Sequence, residues 1–144
     1  MNDFAEYADP RFLEDPTTVP LVLRAVEFSD DAEALDGLAH SGVNSEVLRK
    51  IAHNPATAER TLEYLVELYE RWMTYPVTRR IDLSAEFVDR IARRLTDRNA
   101  IYHASSAPCA DETTLRYLAE HPSAPAAVAE TVGARLGDIV HAAT

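Results

Sequence analysis

Apolar residues recur along this chain at intervals of three and four, in short bursts, and proline, glycine or asparagine closes each burst. Val47, Leu48 and Ile51 form one stripe, Leu62, Leu65, Val66 and Tyr69 a second, and Phe87, Val88, Ile91 and Leu95 a third. This spacing puts apolar side chains on one face of an α-helix, and no segment shows the strict alternation of a half-buried strand bounded by turn residues. The first helix is predicted over Val19–Phe28, with Thr18 as cap and Pro20 in its first turn. A second, weakened by Gly37, is capped by Ser29 or Asp30 and ends near Ala39, with Glu33 completing a capping box. Ser45 opens a third, which Asn54-Pro55 stops because a residue before proline is pushed out of the helical region.

The longest helix is predicted from a Thr57 cap to about Trp72, with Trp72 or Met73 continuing its apolar face and Pro76 stopping it. Ser84 caps the next, running to Leu95; a short helix surrounds Ile101 before Pro108; Asp111 caps the one carrying Leu115 and Leu118. A final helix spans about Ser123 to Leu136, with Gly133 and Gly137 expected to fray it. Residues 1–17 read as an N-terminal cap segment laid over the first helix, and residues 74–83 as an irregular insertion. The expectation is a single all-α domain, residues 1–144, of seven to eight stacked antiparallel helices.

The stretch from Ile51 to Glu67 returns 53 residues later as Ala104 to Glu120, with Pro, Glu, Thr, Leu, Tyr, Leu and Glu at equivalent positions. Shorter echoes are Leu38-Ala39-His40-Ser41-Gly42, Ile51-Ala52-His53-Asn54-Pro55 and Leu118-Ala119-Glu120-His121-Pro122. Each marks a helix end at which a stop fixes the turn into the following helix. Leu48 to Thr57, followed by Leu62-Glu63-Tyr64-Leu65, resembles the leucine-rich repeat variant family, and Ile101 to Val132 is similar to the same unit. The resemblance implies a short right-handed α-solenoid, HEAT-like in form, and no catalytic residues. The cysteine-bound iron–sulfur cluster known in that family is not carried over, because Cys109 is the one cysteine. A spacing of 53 is longer than two such units, which points to a degenerate unit between the copies, its anomaly at residues 72–83.

Charge narrows the functional classes. The net charge of −10 opposes general binding to nucleic acid, although a HEAT-like basic patch would be the exception. Residues 1–70 carry five basic and fifteen acidic side chains, whereas residues 71–98 carry seven and four. A single cysteine excludes an internal disulfide, no run is apolar enough to span a membrane, and the acidic N-terminus lacks the order of a secretion signal; the expected location is the cytoplasm. Thirteen arginines against one lysine, with abundant alanine, point to a GC-rich bacterial genome.

Candidate chemistry is sparse. His40 and His53 occupy equivalent positions and His103 precedes Cys109 by six, but no pair has metal-ligand spacing on one helix, so no metal and no cofactor is expected. The carboxylates Glu27, Asp30, Asp31, Glu33 and Asp36 read as caps and dipole partners. Ser105, Ser106 and Cys109 lack a nucleophile elbow, and there is no glycine-rich phosphate loop. These features argue against an enzyme. The anomaly is the Arg-rich segment. Glu86 and Asp89 stand four residues before Arg90 and Arg93, the favoured order for surface pairs, but the same spacing gives no acid to Arg79, Arg80, Arg94 or Arg98. With Trp72 and Tyr75 these four arginines form the predicted partner-binding set, since Arg, Trp and Tyr concentrate where proteins grip one another. The expected partner is a protein or peptide with an acidic surface. Two other readings stand beside it: the arginines bridge to acidic neighbouring helices, or the acidic N-terminal half engages a basic partner as a small inhibitor does.

Overall fold

The computed structural model describes residues 19–143, with side chains from 20 to 137. The expected cap segment and the Thr18 cap lie outside the described residues. The described residues are all-helical, with nine helices and no strand, and the chain divides into two compact units, Met1–Leu68 and Tyr69–Thr144.

Four helices of the first unit are described: α1 (Val19–Phe28), α2 (Ala32–Ala39), α3 (Ser45–His53) and α4 (Glu59–Leu68). On α3 and α4 the buried positions are predicted ones, Val47, Leu48 and Ile51 and then Leu62, Leu65 and Val66, whereas Tyr69, expected in the second stripe, is exposed; Val22 and Val26 on α1 and Leu35 and Leu38 on α2 are buried with them. Helix α1 packs on α3 and α2 on α4, so each helix meets its next-but-one neighbour. Asp31, not Ser29 or Asp30, caps α2, accepting from the Glu33 and Ala34 amides, while Ser29 Oγ accepts from Asp31 N. Gly42, at φ 78°, makes the turn into α3 in a conformation that disfavours other residues.

The Asn54-Pro55 stop is a joint between helices. Asn54 is buried, its Nδ2 donates to the Val26 carbonyl (2.6 Å) and the Ser29 carbonyl (2.8 Å), and its Oδ1 accepts from Ala56 N (2.8 Å). One amide thus satisfies two carbonyls at the end of α1, groups that any helix leaves without intrahelical partners. Thr57, expected to cap α4, instead turns back and donates to the Ile51 carbonyl (2.6 Å).

The second unit contains α5 (Glu70–Thr78), α6 (Ala85–Ala92), α7 (Arg98–Ala104), α8 (Glu112–Ala119) and α9 (Ala126–Ala143). The long helix predicted to Trp72 therefore ends at Leu68, and α5 restarts after Tyr69, at φ −140° and ψ 65°. Glu70 explains the restart: its carboxylate accepts from the backbone of Thr96 and of Asp97 (3.1 Å), tying the head of α5 to the cap of α7. The first half of the expected insertion at 74–83, through Thr78, is consequently helix, and Pro76 lies inside α5. Thr74 Oγ1 donates to the Glu70 carbonyl and Thr78 Oγ1 to the Thr74 carbonyl, both at 2.6 Å, so hydroxyls reinforce the turns flanking a residue with no N–H. Helix α9 runs through Gly133 and Gly137 instead of fraying; Val128 and Val132 are buried, and Arg135 donates to the Ser105 carbonyl (2.8 Å). Burial pulls the Arg135 guanidinium below its ordinary pKa. Again each helix meets its next-but-one neighbour: α5 on α7, α6 on α8, α7 on α9.

Compared internally, the two units keep one register. Helix α6 is α2 displaced by 53 residues at both ends, and α7 and α8 begin 53 residues after α3 and α4. Buried Ala34, Leu35, Leu38 and Ala39 correspond to Phe87, Val88, Ile91 and Ala92. A polar pair repeats with them: Thr61 Oγ1 donates to Asp36 (2.5 Å), and Thr114 Oγ1 to Asp89 (2.7 Å). Beside each pair a cation-capable side chain lies on a ring, His40 on Tyr64 at 3.8 Å and Arg93 on Tyr117 at 4.7 Å. The period of 53 is therefore one round of four helices, and α6 and α7 keep that register where a degenerate unit was expected. Only the first helix is offset, by 51, since Met73 and Val77 take the places of Val22 and Val26.

The joint varies more than the stripes. At the end of α8, His121 does what Asn54 does at the end of α3: Nδ1 accepts from Ser123 N (3.0 Å) and Nε2 faces the Leu95 carbonyl at 3.1 Å. Both residues precede a proline, and both reach back to the end of the next-but-one helix. At the end of α7, Ala107 has no polar side chain, and Cys109 Sγ contacts the Arg80 carbonyl instead (3.4 Å).

Candidate functional site

Helix α5 buries Met73, Thr74 and Val77, which leaves residues 72, 75 and 79 on its outer face. Trp72, expected on the apolar face of the long helix, is 61% exposed, because the break at Tyr69 resets which residues face inward. Tyr75 is 46% exposed. Arg79 lies over the Tyr75 ring, its guanidinium carbon 4.9 Å from the centroid, and its Nη1 donates to Tyr75 Oη (2.9 Å). The stack holds a flexible cation in one place and leaves the rest of its fork available. Arg71 lies over Trp72 at 5.6 Å in the same manner.

Helix α7 supplies the opposite wall. It buries Ala100, Ile101 and Ala104, so Tyr102 and His103 point outward. His103 sits 4.9 Å from the Tyr75 ring and 5.6 Å from Tyr102, joining the helices through a row of three rings. Tyr75, Arg79, Tyr102, His103, Ser106 and Pro108 line a cleft of about 440 Å³.

Of the six predicted residues, the structure brings Tyr75 and Arg79 into this cleft and places Trp72 on the same helix face. Arg80 is spent elsewhere: it makes a two-pronged bond to Asp82 (2.9 and 2.6 Å) and its side chain is largely covered. That bond holds the Asp82 carboxyl below the ordinary carboxylate range despite some burial. Arg94 is exposed just beyond α6 and does not line the cleft. Arg98 lines a second, polar cleft of about 440 Å³ with Thr96, Asp97, Pro122, Ser123 and Ala124. The Asp89–Arg93 pair forms as its spacing predicted (2.8 Å). Tyr102 was missed, although the inward positions Ile101 and Ala104 leave it outside on any helical projection.

Among the described residues no group of three or more His, Cys, Asp or Glu side chains is placed to hold a metal ion, and no helix is long and apolar enough to cross a membrane. The fold and cleft define a class, an all-helical protein built on a duplicated four-helix round with an aromatic–cationic cleft in its second unit. No protein-family model matches the chain, and no curated protein or solved structure matches it either.

Proposed function

We propose that this protein is a non-enzymatic interaction module that binds an acidic peptide or protein segment on the outer face of α5 and α7. The observation that carries this reading is the cleft of Tyr75, Arg79, Tyr102 and His103. Rings offer area at low entropic cost, and a guanidinium held by a ring and a hydroxyl is pre-organised for a carboxylate. Exposed Trp72 extends the apolar part of the face, as the anchors of protein interfaces do. The next-but-one packing and the repeated joint support placing the chain among right-handed α-solenoids with stacked antiparallel helices, of the leucine-rich repeat variant or HEAT-like kind. The cytoplasm of a bacterium is the proposed setting.

Selection from a phage-displayed random peptide library tests the assignment. Wild type is expected to enrich peptides rich in Asp and Glu beside an aromatic or branched residue, and Tyr75→Ala/Arg79→Glu to bind the same clones at least tenfold more weakly, a loss of roughly 1.4 kcal/mol or more. Both positions are exposed, so circular dichroism should be unchanged. Enrichment of basic peptides would overturn the assignment in favour of the acidic surface, and clones indifferent to the double substitution would overturn it outright.

A further inference from the structure

Towards the heads of α5 and α7 the aromatic–cationic face continues through Arg71, a residue outside the predicted set. Arg71 lies over the Trp72 ring, and in the amide orientation that satisfies both groups Asn99 Oδ1 accepts from its Nε (3.3 Å) and Nη2 (3.1 Å). One turn further along each helix Tyr75 meets His103, and beyond them Arg79 lines the cleft with Ser106 and Pro108. Helices α5 and α7 therefore run parallel and in register, and a single strip of side chains follows the seam between them.

This strip has a cation at each end and rings between. Asn99 and the Trp72 ring hold Arg71; the Tyr75 ring and hydroxyl hold Arg79. A guanidinium carries five N–H donors, so each keeps donors for a carboxylate while its position is fixed. Both arginines are exposed, and among the described residues neither is in an ion pair, whereas Lys50, Arg80, Arg93 and Arg116 are. That is a notable absence in a chain with 24 acidic and 14 basic residues, and the strip lies in residues 71–98, where basic residues are in excess. The local field at these two positions thus favours an anion although the whole chain is acidic.

Spacing defines what fits. Arg71 and Arg79 are just over two turns of α5 apart, about 12 Å along its axis. In an extended chain alternate side chains share a face, so residues four apart lie on one face at a separation of about 13 Å, with a third side chain of that face midway. The midway position falls at Tyr75 and His103. A helical ligand brings an apolar side chain every three or four residues, which suits a long apolar groove; here one aromatic cleft stands between two cations.

We infer, on the acidic-segment reading of this cleft, that its ligand is an extended segment with two acidic residues four apart and an apolar residue midway. Arg71 and Arg79 receive the two carboxylates, and the rings of Tyr75 and His103 receive the apolar side chain. Arg71 sets the spacing, because a segment whose acids are adjacent reaches only one of the two cations at a time.

Fluorescence anisotropy of labelled heptapeptides titrated with the full-length protein tests this. One peptide has two glutamates four residues apart, phenylalanine midway and threonine elsewhere; the other has the same composition with the glutamates adjacent. The spaced peptide is expected to bind roughly tenfold more tightly. Arg71→Gln and Arg79→Gln should each erase that preference by weakening the spaced peptide about tenfold, and Arg71→Gln/Arg79→Gln should abolish binding of both peptides. Both positions are exposed, so circular dichroism should not change. Equal binding of the two peptides, or a preference that survives Arg71→Gln, would overturn the spacing and, with the double substitution still abolishing binding, leave the proposed function standing. Binding of neither peptide, or binding untouched by the double substitution, would overturn the proposed function and the spacing with it.

Discussion

Asn54→Ala is expected to lower the stability of its unit by about 3 kcal/mol, the range in which loss of a buried, multiply bonded polar group falls. The substitution removes the side-chain donors to the Val26 and Ser29 carbonyls and the acceptor for Ala56 N; Val26 O keeps only the long 3.4 Å bond from Ser29 N, and Val26 and Ser29 are almost fully buried. It also removes the tie between the ends of α1 and α3, so the loss should exceed that of a capping residue such as Ser84, whose replacement by Ala costs about 1 kcal/mol. Urea unfolding followed by circular dichroism measures it. A loss below about 1 kcal/mol would show that water replaces the amide and that the joint is not what holds the two helices together.

Asp89→Ala is the second large effect, about 2 kcal/mol, and most of it arises at Thr114. Thr114 is fully buried and its hydroxyl donates to the Asp89 carboxylate at 2.7 Å, so alanine leaves that hydroxyl without its acceptor. The bond from Arg93 adds little to the sum, since that pair is exposed to solvent and salt. Thr114→Val/Asp89→Ala should recover part of the loss, because removing both partners costs less than orphaning one. The same carboxylate gives a pH signature. The hydrogen bond from Arg93 holds its pKa below the usual value of 3.8; burial opposes the shift, and the bond from Thr114 adds to the lowering. A depressed folded-state pKa means that the stabilisation is complete above the ordinary carboxylate value and is lost as the pH falls below it through the folded-state pKa. Acid unfolding of Asp89→Ala, followed through Trp72 fluorescence, should therefore depend less steeply on pH in that window than the wild type does. Equal slopes would exclude Asp89 as a contributor.

The duplicated Asp–Thr pair shows where sequence comparison stops short. The similarity of Ile51–Glu67 to Ala104–Glu120 is visible in the chain, and Thr61 and Thr114 align within it, but Asp36 and Asp89 lie outside the matching stretch. Only packing of α2 on α4 and of α6 on α8 makes them partners. His121 is a similar case. In sequence it and Asn54 are different residues before proline; in the structure both bridge a backbone amide two residues on and a carbonyl at or just beyond the end of the next-but-one helix.

Local pattern was sufficient for most of the helices, because inward positions at a spacing of three and four and caps such as Ser84 and Asp111 act within a single turn. It misplaced the joint at Tyr69, where the periodicity of the chain runs on but Glu70 is drawn to the amides of Thr96 and Asp97, residues no local rule connects to it. With these long-range bonds α5 is a separate helix, Trp72 faces outward, and Tyr75 and Arg79 share a cleft with Tyr102 and His103. The sequence by itself determined an all-helical chain, its repeat and most of its helix ends, since those follow from short-range sterics and hydrogen bonds. Which side chains meet across helices, and hence the candidate face, was decided only by tertiary structure, since partners about 25 residues apart are brought together by burial of the stripes and not by any property of their own neighbourhoods.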